Sequence, residues 1–317
     1  MARSDNTAVV VIALIGNLCI TVSKFVAAAL TGSAAMASEG VHSLADTTNE
    51  LLLLYGLRRA NAPPDARHPF GHGREAYFWT FIVALLILVV GASVSFYQGV
   101  SRLGNPHALT HMTAIYVVIA ISFLFEGISW WAALRRVRSA KGALGYYEAF
   151  RASKDPSVFT VLLEDSAALL GLLAALAGTV LADRTGRPEF DAGASIVIAL
   201  LLCATSFLLA RETKALLIGE PARPELQQSI LEIAGKEECI VHANGVVTVQ
   251  LGPNHVFAGL STEFRDSLTT PEIEQYVERV EAALRERHPE IVALYVKPQT
   301  HEVWEMKRRK ILRTSAE

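Results

Sequence analysis

Six mostly apolar stretches of roughly 20 residues fill the first 220 positions, at about 7–30, 34–57, 76–100, 112–134, 157–182 and 192–218. A helix of that length crosses the hydrocarbon core of a bilayer, so the pattern predicts six membrane-spanning helices. The second stretch stands apart, because Glu39, His42, Asp46 and Glu50 lie inside it. Beyond Pro221 the pattern shortens. Residues 225–236 read as a helix, 246–251 alternate as a strand, Gly252-Pro253-Asn254 turns, and 256–264 read as a second strand. Thr270 is expected to cap a further helix with Pro271 at its first position and Ile273, Tyr276, Val277, Val280 and Leu284 as its apolar stripe. Residues 291–297 complete the order αββαβ. The predicted fold class is a membrane all-α six-helix transmembrane bundle over 1–220, a C-terminal α+β (αββαβ) cytoplasmic domain over 221–300, and a solvated tail over 301–317.

Composition agrees: 51% of the 317 residues are hydrophobic, 19% are charged, and the mean hydropathy is +0.33. The net charge of −2 decides nothing, but its distribution does. Arg58, Arg59, Arg67 and Arg74 join stretches two and three, and Arg135, Arg136, Arg138, Lys141, Arg151 and Lys154 join four and five. The opposite loops hold only Arg102, Arg184 and Arg187, which places both termini in the cytoplasm by the positive-inside rule. A bacterial inner membrane is the expected location. Cys19, Cys203 and Cys239 form no CxxC and no disulfide framework, which suits a reducing interior. The first apolar run lacks a lysine-rich lead and a cleavage site, and so reads as a retained helix.

The candidate chemistry lies in the membrane stretches. His42 and Asp46 are four apart and Glu39 precedes His42 by three, so all three project from one helical face. An ionisable side chain at membrane depth costs at least ~2.5 kcal/mol, which makes function its default reading. Imidazole and carboxylate at this spacing suit a divalent cation. Glu126 is the costly carboxylate of stretch four, either a proton carrier or partner of Lys24, or a protonated packing residue. Asn17 reads as a donor to a site ligand or as interhelical glue. Lys24 is expected to snorkel to the outer surface, and Asp191 to cap stretch six.

Several motifs, in order, resemble the cation diffusion facilitator family. They are Thr31-Gly-Ser-Ala-Ala, Glu39-Gly-Val-His42-Ser-Leu-Ala-Asp46-Thr-Thr-Asn49, His68-Pro-Phe-Gly-His72-Gly-Arg-Glu75, and Phe190-Asp191-Ala-Gly-Ala-Ser-Ile. The Leu-Leu-Glu164-Asp165-Ser-Ala-Ala stretch is similar to the family's divergent branch that includes zinc transporter nine. The resemblance implies metal-ion/proton antiport by a homodimer, with a transport site between spans two and five in each protomer. It places the metal on His42, Asp46 and Asp165, with Glu164 as a fourth candidate, because Val161 stands where the family has a histidine. It also implies a loop site at Asp65, His68 and His72, serving as a loading station or a structural clip; a polar turn is the alternative. The family's third site, in the soluble domain, is largely lost, since Tyr295 and Lys297 occupy its last-strand positions and His242 and His255 read as ordinary surface or packing histidines.

The expected activity is export of Zn²⁺, or of Mn²⁺, Fe²⁺ or Co²⁺, against protons by alternating access. The metal is substrate, with no cofactor; the partners are the lipid bilayer and a second copy of the chain, with no nucleic acid. A metalloenzyme is disfavoured because no HExxH occurs. A nontransporting metal sensor would need the very C-terminal site that this chain lacks.

Overall fold

In the computed structural model, which describes residues 2–314, the apolar stretches become long helices. They are α1 (Ala2–Thr31), α2 (Ala34–Ala60), α3 (Arg74–Leu86), α4 (Ser93–Gly104), α5 (Met112–Ala140), α7 (Pro156–Thr185) and α8 (Glu189–Ile218). A π-helical segment, Ile87–Ala92, joins α3 to α4 without a break, and a short α6 (Tyr146–Ala152) stands in the basic loop; neither is evident in the hydrophobic pattern. Among the described residues, five helical spans are long and apolar enough to cross a membrane: Leu14–Thr31, Arg74–Gly104, Met112–Ser139, Phe159–Thr185 and Glu189–Ile218. The 27-residue α2 does not qualify on composition, because it carries Glu39, Asp46, Glu50, Arg58 and Arg59.

The burial of α2 explains how such a helix is accommodated. Its apolar Leu44, Leu51 and Tyr55 are exposed, while Glu39, His42 and Asn49 are buried, the reverse of a water-soluble helix. Its polar face is met by Lys24 of α1, Glu164 of α7, and Ser195 and Asp191 of α8. The apolar core around it draws Met36, Val83, Ile115, Ala175, Ile198 and Leu202 from different helices. Small residues let α7 and α8 approach: a Cβ at Gly178 would lie 2.6 Å from the Ala194 methyl.

Asp191 has a different task from the one expected of it. From the first turn of α8 its Oδ1 accepts the Ser33 hydroxyl at 2.6 Å, and its Oδ2 accepts the Ala34 and Ala35 amides at 2.6 and 3.3 Å. Asp191 therefore caps α2, not its own helix, and satisfies amide groups that the start of α2 leaves unpaired. Gly32, at φ 72°, makes the left-handed turn that brings α2 to this carboxylate.

The chain divides into two units, Met1–Arg58 with Phe78–Lys214, and Arg59–Tyr77 with Ala215–Glu317. The second contains α9 (Pro224–Ala234), β1 (Ile240–Gly252), β2 (His255–Phe264), α10 (Thr270–Arg287), β3 (Ile291–Pro298) and α11 (His301–Thr314). The sheet order is β1-β2-β3, antiparallel then parallel, with α10 forming the crossover between β2 and β3. Ile230 of α9 and Tyr276, Val280 and Leu284 of α10 pack with Val256, Ala258 and Leu260 of β2. Tyr276 donates to the Ala234 carbonyl at 3.1 Å, and burial pushes its phenol up.

Two local expectations change. The N-cap of α10 is Thr269, one residue earlier than predicted, with Glu272 accepting both its amide and its hydroxyl at 2.7 and 2.8 Å. Residues 301–314 are not an extended tail but α11, anchored by Trp304 against Gly245 and by the His301 amide donating to Glu263 at 2.9 Å. Residues 315–317 lie outside the described residues.

If Asp191 holds the start of α2, Asp191→Ala is expected to cost about 2 kcal/mol of stability, and Asp191→Asn less. Thermal unfolding in detergent measures this; an unchanged midpoint for Asp191→Ala would refute the capping role.

Candidate metal-binding sites

The membrane helices line a partly open cavity of about 30 Å³, roughly the room of one water molecule. Asp46 and Glu50 of α2, Glu126 of α5, and Glu164 and Asp165 of α7 line it, so five carboxylates face one small space. The helical repeat accounts for the arrangement. Glu50 follows Asp46 by one turn on α2, and Val161 precedes Asp165 by one turn on α7, where it too lines the cavity.

Neutral donors hold three of these carboxylates. Asn17 donates to Glu50 Oε1 at 2.9 Å, Asn49 to Glu164 Oε1 at 3.1 Å, and Ser129 to Asp165 Oδ2 at 2.7 Å. Each arrangement fixes a carboxylate while leaving oxygen lone pairs for a cation. His42 is buried behind Asp46, with its Nδ1 3.4 Å from Asp46 Oδ1, and neither ring nitrogen has a hydrogen-bond partner. It does not form part of the cavity wall.

The structure thus brings Asp46, Glu164 and Asp165 together, keeps His42 adjacent, and places Glu39 elsewhere. Glu39 pairs with Lys24 at 3.0 Å, and its Oε1 rests against Gly171 of α7, where a larger residue would collide. Glu126 also approaches Lys24, at 3.6 Å. Lys24 therefore does not snorkel; it is fully buried among α2 and α5 carboxylates, which supply the counter-charge a surface position would not require. Glu50, evident in the sequence as an acid of the second stretch but given no site role, lines the cavity one turn after Asp46, and Ser129, which the sequence pattern does not mark, lines it too.

The loop after α2 holds a tighter cluster. Among the described residues, only Asp65, His68 and His72 bring three potential ligand atoms within 4.8 Å of one another. Asp65 Oδ1 accepts the amides of His68 and Arg67 at 2.7 and 2.8 Å, an Asx-type turn following Pro63-Pro64. His68 Nδ1 and His72 Nε2 lie 3.2 Å from its two oxygens. Gly71, at φ 83°, provides the left-handed turn between the two histidines. Within the same unit, Gly73 packs against Leu251 and His255, and Phe70 against Phe257. Burial lowers the His255 imidazole, whose Nδ1 has no partner. His242 stacks with His301 at 5.1 Å, and Tyr295 is exposed on β3.

The backbone amides of His68 and Arg67 pull the Asp65 carboxyl down to about 2. A depressed carboxylate stabilises the loop above the ordinary carboxylate range, and that contribution disappears as pH falls through about 2. A carboxyl ¹³C titration should place the Asp65 midpoint at about 2; an ordinary carboxylate midpoint would contradict the amide-held geometry.

Comparison with known proteins bears on the membrane helices and on most of the chain. The cation efflux transmembrane domain model matches residues 10–218. The proton-coupled zinc antiporter SLC30A9, mitochondrial, of Xenopus laevis is 33% identical over 265 residues, covering 83% of this chain and 47% of that protein. Its human counterpart is 34% identical over 251 residues, covering 78% and 44%. The manganese efflux system protein MneP of Bacillus subtilis is 26% identical over 221 residues, covering 69% and 70%. The chain spans about half the length of the SLC30A9 relatives. With its helical spans, its small mixed sheet and these matches, the chain belongs to the cation efflux, or cation diffusion facilitator, family and resembles its zinc transporter nine-like branch.

Proposed function

We propose that this protein exports divalent metal cations, principally Zn²⁺, in exchange for protons by alternating access. The carrying observation is the carboxylate-lined cavity among helices that are otherwise apolar. Asp46 and Asp165 supply the first ligands, with His42 behind Asp46 and Glu164 in the place of the missing span-five histidine. Metal binding needs ionised carboxylates and neutral imidazole, so metal and protons compete for the same lone pairs. Inward opening loads the site from the cytoplasm; outward opening exposes it to protons that displace the metal and return with the empty carrier. That the SLC30A9 relatives are proton-coupled zinc antiporters supports both the ion and the coupling.

A membrane domain over 1–220, with α2 as the sixth span, puts both termini on one side. The basic loops make that side the cytoplasm; the SLC30A9 relatives, which are more similar to this chain than the Bacillus protein, are named mitochondrial and do not favour a bacterial inner membrane. The domain over 221–300, continued by 301–317, joins two protomers without metal, because Tyr295 and Lys297 replace last-strand ligands. The loop cluster of Asp65, His68 and His72 serves as a metal loading station or clip.

One observation favours a second ion. Five carboxylates line the cavity and the His42 ring does not, and oxygen donors suit Mn²⁺. The Bacillus relative, a manganese efflux system protein, agrees with this reading.

In proteoliposomes under a pH gradient, His42→Ala and Asp46→Ala should each reduce Zn²⁺ uptake to background without loss of folded protein. Asp165→Asn should do nearly the same, and Glu164→Gln should cost about tenfold. Val161→His should raise zinc affinity. Wild-type uptake in purified Asp46→Ala would remove the cavity from the mechanism. Sedimentation of the full chain in detergent should give the same dimer with and without chelator; a shift to monomer would reveal a bridging metal.

A further inference from the structure

Among the residues whose burial is described, Lys24 is the only fully buried lysine or arginine, and the cation transport reading leaves it without a task. Its ammonium donates to Glu39 Oε2 at 3.0 Å and to the Ser43 hydroxyl at 2.7 Å, and lies 3.6 Å from Glu126 Oε1. These partners come from α2 and α5, the helices that also present Asp46, Glu50 and Glu126 to the cavity.

Asp46 faces His42 of its own helix at 3.4 Å, and the other four cavity carboxylates are held in two different ways. Glu50, Glu164 and Asp165 accept hydrogen bonds from an asparagine or a serine, which leave the anionic charge uncancelled. Glu126 instead faces an ammonium, which offsets its charge before any transported ion arrives. Glu39 is neutralised by the same group and is further confined by its contact with Gly171. Each carboxylate released to the cavity would add an oxygen donor, and added oxygen donors favour Mn²⁺ relative to Zn²⁺.

We propose that Lys24 is a specificity-determining residue, which claims Glu126 of the cavity wall and so withholds that carboxylate from the cation in the cavity. The proposal rests on reading the cavity as the transport site. Lys24 touches no transported ion; it acts through Glu126. A purely architectural lysine, holding α1, α2 and α5 together, would alter the rates for all ions alike.

The test compares initial uptake of Zn²⁺ and Mn²⁺, each supplied alone below saturation, by the full chain in proteoliposomes. Lys24→Gln is expected to raise the Mn²⁺-to-Zn²⁺ ratio about tenfold, and adding Glu126→Gln is expected to reverse the rise. An unchanged ratio in Lys24→Gln overturns the proposal, whatever the absolute rates. If Lys24→Gln does not fold, Glu126→Gln with Lys24 in place decides the matter. An unchanged ratio there supports the withheld carboxylate, whereas a ratio shifted toward Zn²⁺ shows that Glu126 already serves the ion and overturns it. Asp165→Asn separates the two ideas. Wild-type uptake of both ions by that variant defeats the transport-site reading, while loss of both beside an unchanged Lys24→Gln ratio defeats only the Lys24 proposal.

Discussion

The face of α2 that carries Glu39, His42, Asp46 and Glu50 cannot lie against lipid, and much of the membrane domain follows from this constraint. Three of its polar side chains meet partners on other helices, while His42 faces Asp46 of its own helix. Lys24 answers Glu39, Asn17 answers Glu50, and Asn49 reaches Glu164. At the N-terminal end Asp191 satisfies Ser33 and two α2 amides. These contacts tie α1, α7 and α8 to the polar face, while Leu44, Leu51 and Tyr55 remain outward.

The same constraint creates the site. Carboxylates gathered away from lipid, three of them fixed by neutral donors, line one small space. A divalent cation and protons would compete for the same carboxylate oxygens, which is the physical basis of the proposed exchange. The polar loop cluster differs in kind. Asp65 is exposed and held by backbone amides, so its geometry follows from local turn chemistry rather than from the bundle.

Much of this was legible in the sequence, where local pattern decides the outcome. Apolar length marks five spans, and the period-two strands and the Pro271 helix mark the order of the C-terminal unit. The Asp65, His68 and His72 spacing also translates directly into proximity, because a tight turn is a local structure. Features that depend on a distant partner were not legible. Lys24 resembles a snorkelling lysine until Glu39 and Glu126 face it, and Asp191 resembles an ordinary first-turn acid until α2 begins beside it. Composition could not identify α11 either, because Trp304 needs the bare backbone of Gly245 as its seat. Glu50 showed itself as a membrane-stretch acid in register with Asp46 but not as a cavity residue, and His42 gave no sign that its ring would stand outside the cavity lining.

The central claim is that metal binds among the membrane carboxylates. X-ray absorption of the zinc-loaded full chain carrying His68→Ala and His72→Ala tests it most directly, since that variant disables the loop cluster. The account predicts bound zinc with an oxygen-rich shell and at most one imidazole, lost on adding Asp46→Ala. Failure to retain zinc, or a shell of two or more imidazoles that survives Asp46→Ala, would contradict it.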